Sequence, residues 1–407
     1  MEALHLTGHD VQLNRSAIPH GAKIVHVFAL GLSARQFLVP HFQALAECGA
    51  HQLLVCSESP EAREAAERGR LSFAPVAIAQ SVNPFADAGA LWRLYRLFRR
   101  ERPALIVSHM SKAGAVGMVA AWLSRVASRV YYNHGMALFS AWGPKRVLLW
   151  IIERLSCACA TRVVFCSEST KAEAVRLGLV SPTKAMVVGA GSIAGVDTAV
   201  FAPQEIDKKV AARRQLNIPD GAVAIGFVGR QVPHKGLLTL LEAWRHLKES
   251  VQQHAVLVIV GGMPTPSVAE ALDAAASEDP SIMIAGTRSN MPFVYAGLDA
   301  VVLPSWHEGF PYSLLEAQAC GVPTIASSVT GNLDAIIPEV TGILVPPRDP
   351  ISLATAIQRV IDEPELRAAL GAAGRERVCT HFHRARVVGE HVAMYAAEVA
   401  NIPEPSR

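Results

Sequence analysis

No stretch of these 407 residues strings together the ~18 apolar positions that a membrane-spanning helix needs, so the sequence predicts a chain that does not cross a bilayer. The opening segment 1–21, "MEALHLTGHDVQLNRSAIPHG", lacks the charged start and apolar centre of a signal peptide. It reads as a loose tail on a protein expected to stay in the cytoplasm. Seven cysteines, an odd number at irregular spacing, provide no disulfide framework. The one close pair, Cys157 and Cys159, would point to nearly opposite faces of a helix and suits buried thiols better than a metal site. Aromatics make up only 6% and no recognised nucleic-acid-binding motif occurs, which argues against DNA or RNA as a partner. Charge is sparse at 18%, and it is uneven. Residues 1–200 carry 21 Lys and Arg against 13 Asp and Glu, an excess of +8, while residues 201–407 carry 17 against 22, or −5. A basic half joined to an acidic one predicts that the first faces something anionic, either a membrane surface or a phosphorylated substrate.

What the sequence does contain is alternation. "KIVHVFAL" (23–30), "HQLLVCS" (51–57), "ALIVSH" (104–109), "SRVYYNHG" (128–135) and "TRVVFCS" (161–167) read as buried strands, with helical stretches between most of them. The pattern restarts with "AVAIGFVG" (222–229), "AVLVIVGG" (255–262), "IMIAG" (282–286), "DAVVLPS" (299–305) and "PTIAS" (323–327). Strand–helix alternation predicts parallel sheets with helices on both faces, and two such series predict two lobes with a cleft between them. The joint is expected near 195–207, which gives domains 22–200 and 201–385. The last helix, 386–400, follows the second sheet and is expected to return to the first lobe.

In "SWHEGFPYSLLEAQACG" (305–321), Glu308 stands where a strand gives way to a helix, and Glu316 lies one or two turns inside that helix. Open α/β sheets bind ligands at such junctions. The other segments in register are "VSHMSKAGAVG" (107–117), "YYNHG" (131–135), "VGAGSIAGVDTAVF" (188–201), "GFVGRQVPHKGLLTLLEAW" (226–244) and "TGILVPPRD" (341–349). Together they resemble family four of the retaining glycosyltransferases, with the two-lobed GT-B fold of paired Rossmann-like domains. "HMSKAG" and "GAGSIAGVD" resemble most the bacterial group that builds capsule and O-antigen on polyprenyl-diphosphate lipids. "GAGSIAG" superficially resembles a dinucleotide fingerprint, but its glycine spacing is wrong for one.

Each motif has a physical reading beside the resemblance. Arg230 and Lys235 stand at the mouth of the second sheet, where a fork of donors and a point charge suit the leaving diphosphate of a nucleotide sugar. No Asp-x-Asp pair occurs. The expectation is therefore a metal-independent enzyme without a cofactor, in which Arg230, Lys235 and helix amides take the metal's place. The resemblance implies that Glu308 holds the donor sugar and Glu316 the ribose. A carboxylate suits both, since it accepts two hydroxyl hydrogens at once. Gly309, Phe310 and Pro311 would shape the turn around the sugar. Backbone near Arg288 would read the base, with UDP expected and GDP as the alternative. His134 would lie near the donor sugar and the acceptor hydroxyl. His109 and Lys112 are candidates for acceptor or phosphate contacts. Gly31 stands where many relatives have two adjacent glycines near the diphosphate.

The reading is thus sugar transfer, with retention, from a nucleotide sugar to a polyprenyl-diphosphate-linked saccharide. A nucleotide-sugar epimerase of the same fold and a silent sugar-nucleotide-binding subunit are the alternatives; the complete motif "LPSWHEGFPYSLLEAQACGVPTIAS" (303–327) weighs against the first, and the joint presence of His134, Arg230, Lys235, Glu308 and Glu316 against the second. "LWRLYRLFRRERP" (91–103) holds five arginines and one glutamate. At 100° per residue, Arg93, Arg96 and Arg100 share one face, and Leu91, Leu94 and Phe98 another. This helix is expected to rest on the inner face of an anionic membrane.

Overall fold

The computed structural model describes residues 18–19, 21–81, 83–247 and 254–402. The expected tail 1–21 lies outside the described residues except at 18, 19 and 21, and Ile18 is already buried. Contacts divide the chain into two units. One runs to Gly195 and resumes at Arg384; the other is Val196–His383. The sequence placed these joints at 200 and 385. They fall earlier because the two passages of chain pair with each other: Val196 bridges His383, and its N–H donates to the Phe382 carbonyl at 2.8 Å.

The first unit is built on seven strands: β1 (Lys23–Val27), β2 (His51–Cys56), β3 (Ser72–Pro75), β4 (Leu105–His109), β5 (Ser128–Asn133), β6 (Arg162–Phe165) and β7 (Ala185–Val187). They are all parallel, in the order β3-β2-β1-β4-β5-β6-β7. The second unit has six: β8 (Val223–Val228), β9 (Ala255–Val260), β10 (Ile282–Gly286), β11 (Ala300–Leu303), β12 (Thr324–Ser327) and β13 (Ile343–Val345). These too are parallel, in the order β10-β9-β8-β11-β12-β13. Parallel strands covered on both faces read as unbroken apolar runs, which is why the central ones were visible in the sequence. Three were not: β3, β7 and β13 are edge strands of only three or four residues, the first two with weaker burial.

Both sheets are doubly wound. Strand order reverses between β1 and β4 in the first and between β8 and β11 in the second. At each reversal two adjacent loops leave the carboxyl ends of neighbouring strands in opposite directions, the usual place for a ligand. The first unit's core includes Val25, Val27, Ile106, Tyr131 and Phe98; the second's includes Phe227, Trp244, Leu257 and Val302. The C-terminal helix (Arg384–Ala400) belongs to the first unit and packs on β4 and on a helix introduced below, α2 (Val39–Glu47). His391 and Tyr132 hold it there through a 2.6 Å hydrogen bond, and Glu398 accepts from Ser128 at 2.9 Å and Arg162 at 3.1 Å.

Besides α2, the helices that matter most in the first unit are α1 (Gly31–Phe37), α3 (Pro60–Gly69), α4 (Pro84–Glu101), α5 (Met110–Leu123) and α6 (Gly143–Cys159). α4 starts at an Asn83 cap, with Pro84 in its first turn, and stops at Arg102, which takes a left-handed φ of 45° ahead of Pro103. Its apolar side is used internally: Leu94 and Phe98 are buried and Leu91 is part-buried. Arg93, Arg96, Arg99, Arg100 and Trp92 remain exposed. α6 reverses this economy. Val147, Leu148, Ile151 and Leu155 all face outward among Lys145 and Arg154. Its buried side carries Glu153, Cys157 and Cys159, so the close cysteine pair consists of buried free thiols.

Candidate active site

The second unit brings its expected residues together at the β8/β11 reversal. After β8 the chain passes Gly229 and exposed Arg230, then turns at Lys235 and Gly236 into helix Leu237–Arg245. Gly236 has φ 76°, and a methyl group there would come within 1.9 Å of the Pro304 carbonyl oxygen. Only glycine allows the two loops to approach this closely. The result is an ion pair between Lys235 Nζ and Glu308 Oε1 at 2.7 Å, with Glu308 only 9% exposed. Ser305 donates its hydroxyl to the same Oε1 at 2.6 Å. The loop is held from behind as well: the Ser327 hydroxyl donates to the Ser305 carbonyl, and Trp306 N–H donates to the His234 carbonyl at 2.8 Å.

Beside the pair, the rings of His234 and His307 stack at 5.1 Å and 12°. Burial, then the neighbouring His307, Lys235 and Arg230, lowers the His234 pKa to about 4. Neither imidazole was singled out from the sequence, although both flank residues that were. Phe310 is buried against Phe382, and buried Pro311 caps helix Tyr312–Ala319, with Gly309 part-buried between Glu308 and Phe310. Glu316 is part-buried on that helix and accepts from the Tyr295 hydroxyl at 2.9 Å. Tyr295 is a second omission. It is fully buried, and burial followed by the Glu316 charge pushes its pKa well above the usual phenol range. Arg288 lies exposed just past β10.

In the first unit the β1/β4 reversal holds a different chemistry. His109 ends β4, fully buried, and its Nδ1 lies 3.1 Å from Nε2 of His134, just past β5. Around them gather His26, His41 and His391, which the sequence reading passed over. His41 bonds the Ile193 carbonyl at 2.6 Å and lies 4.8 Å from His391, while His26 lies 6.0 Å from His109. Burial lowers every one of these pKa values, to about 3 for His26 and His134 and to about 4 for His391.

Three residues expected at a ligand are occupied inside the unit. His109 is fully enclosed, with His134 as the hydrogen-bond partner of its Nδ1. Lys112 pairs with Asp87 of α4 at 2.6 Å, which leaves it tied to a neighbouring helix. Gly31 opens α1, and a side chain there would meet Ala62 of α3 at 2.5 Å, so close helix packing accounts for it. Glu153 of α6 is the missed counterpart: it is buried, its pKa is raised by burial, and it accepts from Ser111 and from Tyr131 at 2.7 Å. Among the described residues no group of three or more His, Cys, Asp or Glu is arranged to hold a metal ion.

Residues 208–377 match the family model for glycosyl transferases group 1, and residues 40–191 match a glycosyl transferase 4-like domain. A capsular polysaccharide biosynthesis glycosyltransferase of Staphylococcus aureus, CapM, is 29% identical over 76% of this chain and 81% of its own. A UDP-Gal:alpha-D-GlcNAc-diphosphoundecaprenol alpha-1,3-galactosyltransferase of Escherichia coli is 27% identical over 93% of this chain and 98% of its own. Among solved structures, Anabaena HepE in complex with UDP and glucose superposes with a TM-score of 0.77 at 17% identity, over 92% of this chain and 99% of the other. That likeness shows the fold.

The histidine cluster makes a prediction about acid. Unfolded histidines protonate near pH 6.5, whereas His26, His134 and His391 stay neutral down to about 3 or 4. The unfolded state therefore binds more protons across that window, and stability falls as pH drops below 6.5. Each such group costs about 1.4 kcal/mol per pH unit. Urea unfolding followed by circular dichroism at pH 7.5 and 5.5 should show this loss. His26→Phe should flatten the slope by about one proton, and an unchanged slope would rule the cluster out as its source.

Proposed function

The chain belongs to glycosyltransferase family four, with the GT-B fold, and we propose that it moves a sugar from a UDP-linked donor to a saccharide carried on polyprenyl diphosphate. The observation that carries this reading is the Lys235–Glu308 pair at the β8/β11 reversal. A diphosphate arriving there offers Lys235 a stronger anion, and Arg230 adds a fork of donors. Glu308, released from Lys235, is left to accept hydroxyl hydrogens from the sugar. Glu316 takes the ribose in the same way, oriented by the Tyr295 hydroxyl. The Escherichia coli relative supports the acceptor class: it matches along nearly its whole length, and its name specifies a diphosphoundecaprenol-linked substrate. The Staphylococcus aureus relative supports a place in surface polysaccharide synthesis.

In this reading the anomeric configuration is retained by front-face substitution. The acceptor oxygen forms its bond to the anomeric carbon as the bond to the donor phosphate oxygen breaks. The acceptor's proton passes to that departing oxygen. No side chain need act as a strong base. Fixed charges around the leaving diphosphate and the cationic sugar supply most of the effect.

Transfer to a lipid-linked acceptor is to be measured by mass spectrometry of the product, with a donor panel and a membrane extract. Glu308→Ala should lower kcat by roughly 10²–10³ with donor binding nearly intact, whereas Glu316→Ala should chiefly raise the donor KM. Equal loss of donor affinity in both would reject the division of labour. The same assay should run undiminished in EDTA, with the cationic side chains in place of a metal. Loss of transfer in EDTA, restored by magnesium or manganese, would overturn that.

The substrate also places the protein at an anionic membrane surface. No helix among the described residues is long and apolar enough to span one. The exposed arginines of α4 supply charge at about 1 kcal/mol each, and the outward apolar side of α6 supplies area that α4 has already committed to the core. The protein should sediment with anionic vesicles at low salt and come off as salt rises. Arg93→Gln with Arg96→Gln and Arg100→Gln should weaken the salt-sensitive part, and Ile151→Ser with Leu155→Ser the remainder. Equal binding to neutral and anionic vesicles, or none to either, would defeat the proposal.

A further inference from the structure

We propose that His109 is a positioning residue that fixes the tautomer of His134, so that His134 presents an N–H from Nδ1 toward its substrate. The inference rests on the proposed sugar transfer and on the implication of the family resemblance that His134 lies near the donor sugar and the acceptor hydroxyl. The pairing itself can be tested without it.

His109 is held from several sides. Phe28 stacks on its ring at 4.2 Å and 7°, and Tyr132 lies at 5.7 Å and 16°. The chain then leaves β4 straight into α5, whose first residue, Met110, is a non-glycine at φ 66°. Such a conformation is strained and persists only where its surroundings impose it. Here it makes the turn from β4 into α5 immediate, with the His109 ring directed at the end of β5. His134 sits there behind a second fixed turn, in which Asn133 Oδ1 accepts from Gly135 N–H at 2.9 Å.

One hydrogen bond joins two imidazoles, Nδ1 of His109 to Nε2 of His134. Both rings are neutral at pH 7, because burial lowers both pKa values. Each therefore has one N–H and one bare nitrogen. If His134 donated from Nε2, the His109 proton would sit on its own Nε2. That atom is buried without a hydrogen-bond partner. An orphaned buried N–H is rarer and costlier than an under-used acceptor. The favourable arrangement therefore places the His109 proton on Nδ1, donated to His134 Nε2. His134 then carries its proton on Nδ1. In water a free imidazole favours the opposite tautomer, so the pairing changes what His134 offers. It becomes a neutral donor for a sugar, hydroxyl or phosphate oxygen.

The experiment uses the full chain labelled with ¹⁵N-histidine, and long-range ¹H–¹⁵N correlation at pH 7.5, with His134→Gln to assign the resonance. The expected spectrum shows a pyrrole-type Nδ1 and a pyridine-type Nε2 at His134. His109→Leu should return His134 to the Nε2–H form and lower kcat roughly five- to tenfold, the loss of one hydrogen bond, with donor KM unchanged. His109→Asn, whose amide nitrogen can stand in for Nδ1, should keep the tautomer and recover most of the rate. An Nε2–H tautomer in the unmodified protein, or in His109→Asn, overturns the proposal, as does a His109→Leu spectrum identical to the parent. If the tautomer responds as expected but kcat does not, the positioning stands and the role of His134 at the substrate falls.

Discussion

Two parallel strands cannot be joined by a tight turn; the chain must cross back over the sheet, here usually through a helix. That constraint governs both units. It sends every strand–helix junction to the same edge of its sheet, and reversal of the winding leaves one point per sheet where neighbouring junctions diverge. Lys235 and Glu308 meet at one such point and His109 and His134 beside the other, although 73 residues separate the first pair and 25 the second. The backbone is shaped to permit it. Gly236 lets the Lys235 turn approach Pro304, and Met110 accepts a left-handed φ so that β4 can enter α5 at once.

The two units handle charge in opposite ways. In the first, burial suppresses it. Five histidines stay neutral around β4, β5 and the C-terminal helix, and Glu153 is held among hydroxyl and amide donors with its pKa raised. In the second, charge is kept by pairing, with Lys235 and a Ser305 hydroxyl sharing one oxygen of Glu308. A paired charge can be exchanged for another ion, and a neutral imidazole can only donate or accept.

Surface chemistry follows the same economy of burial. α4 spends Leu94, Leu97 and Phe98 on the core and keeps arginines outside. α6 spends its inner side on Glu153 and two thiols, which leaves its aliphatic residues facing outward. The two helices have similar amphipathic sequences, so only packing distinguishes a basic surface from an apolar one.

Central strands, the twofold α/β architecture and the Arg230–Lys235 and Glu308–Glu316 motifs were legible in the sequence by itself. Unbroken apolar runs and glycine-bounded loops are local signals, and these residues stand beside them. Edge strands β3, β7 and β13 were not legible, because three or four residues leave no period to read. Nor could the sequence reveal that Glu308 is paired to Lys235, that Lys112 is tied to Asp87, that Gly31 serves helix packing, or that buried His109 bonds His134. Those facts are set by distances between segments far apart in the chain. Local spacing carries the chemistry of each side chain; which partner satisfies or silences it depends on how the strands are ordered across the sheet.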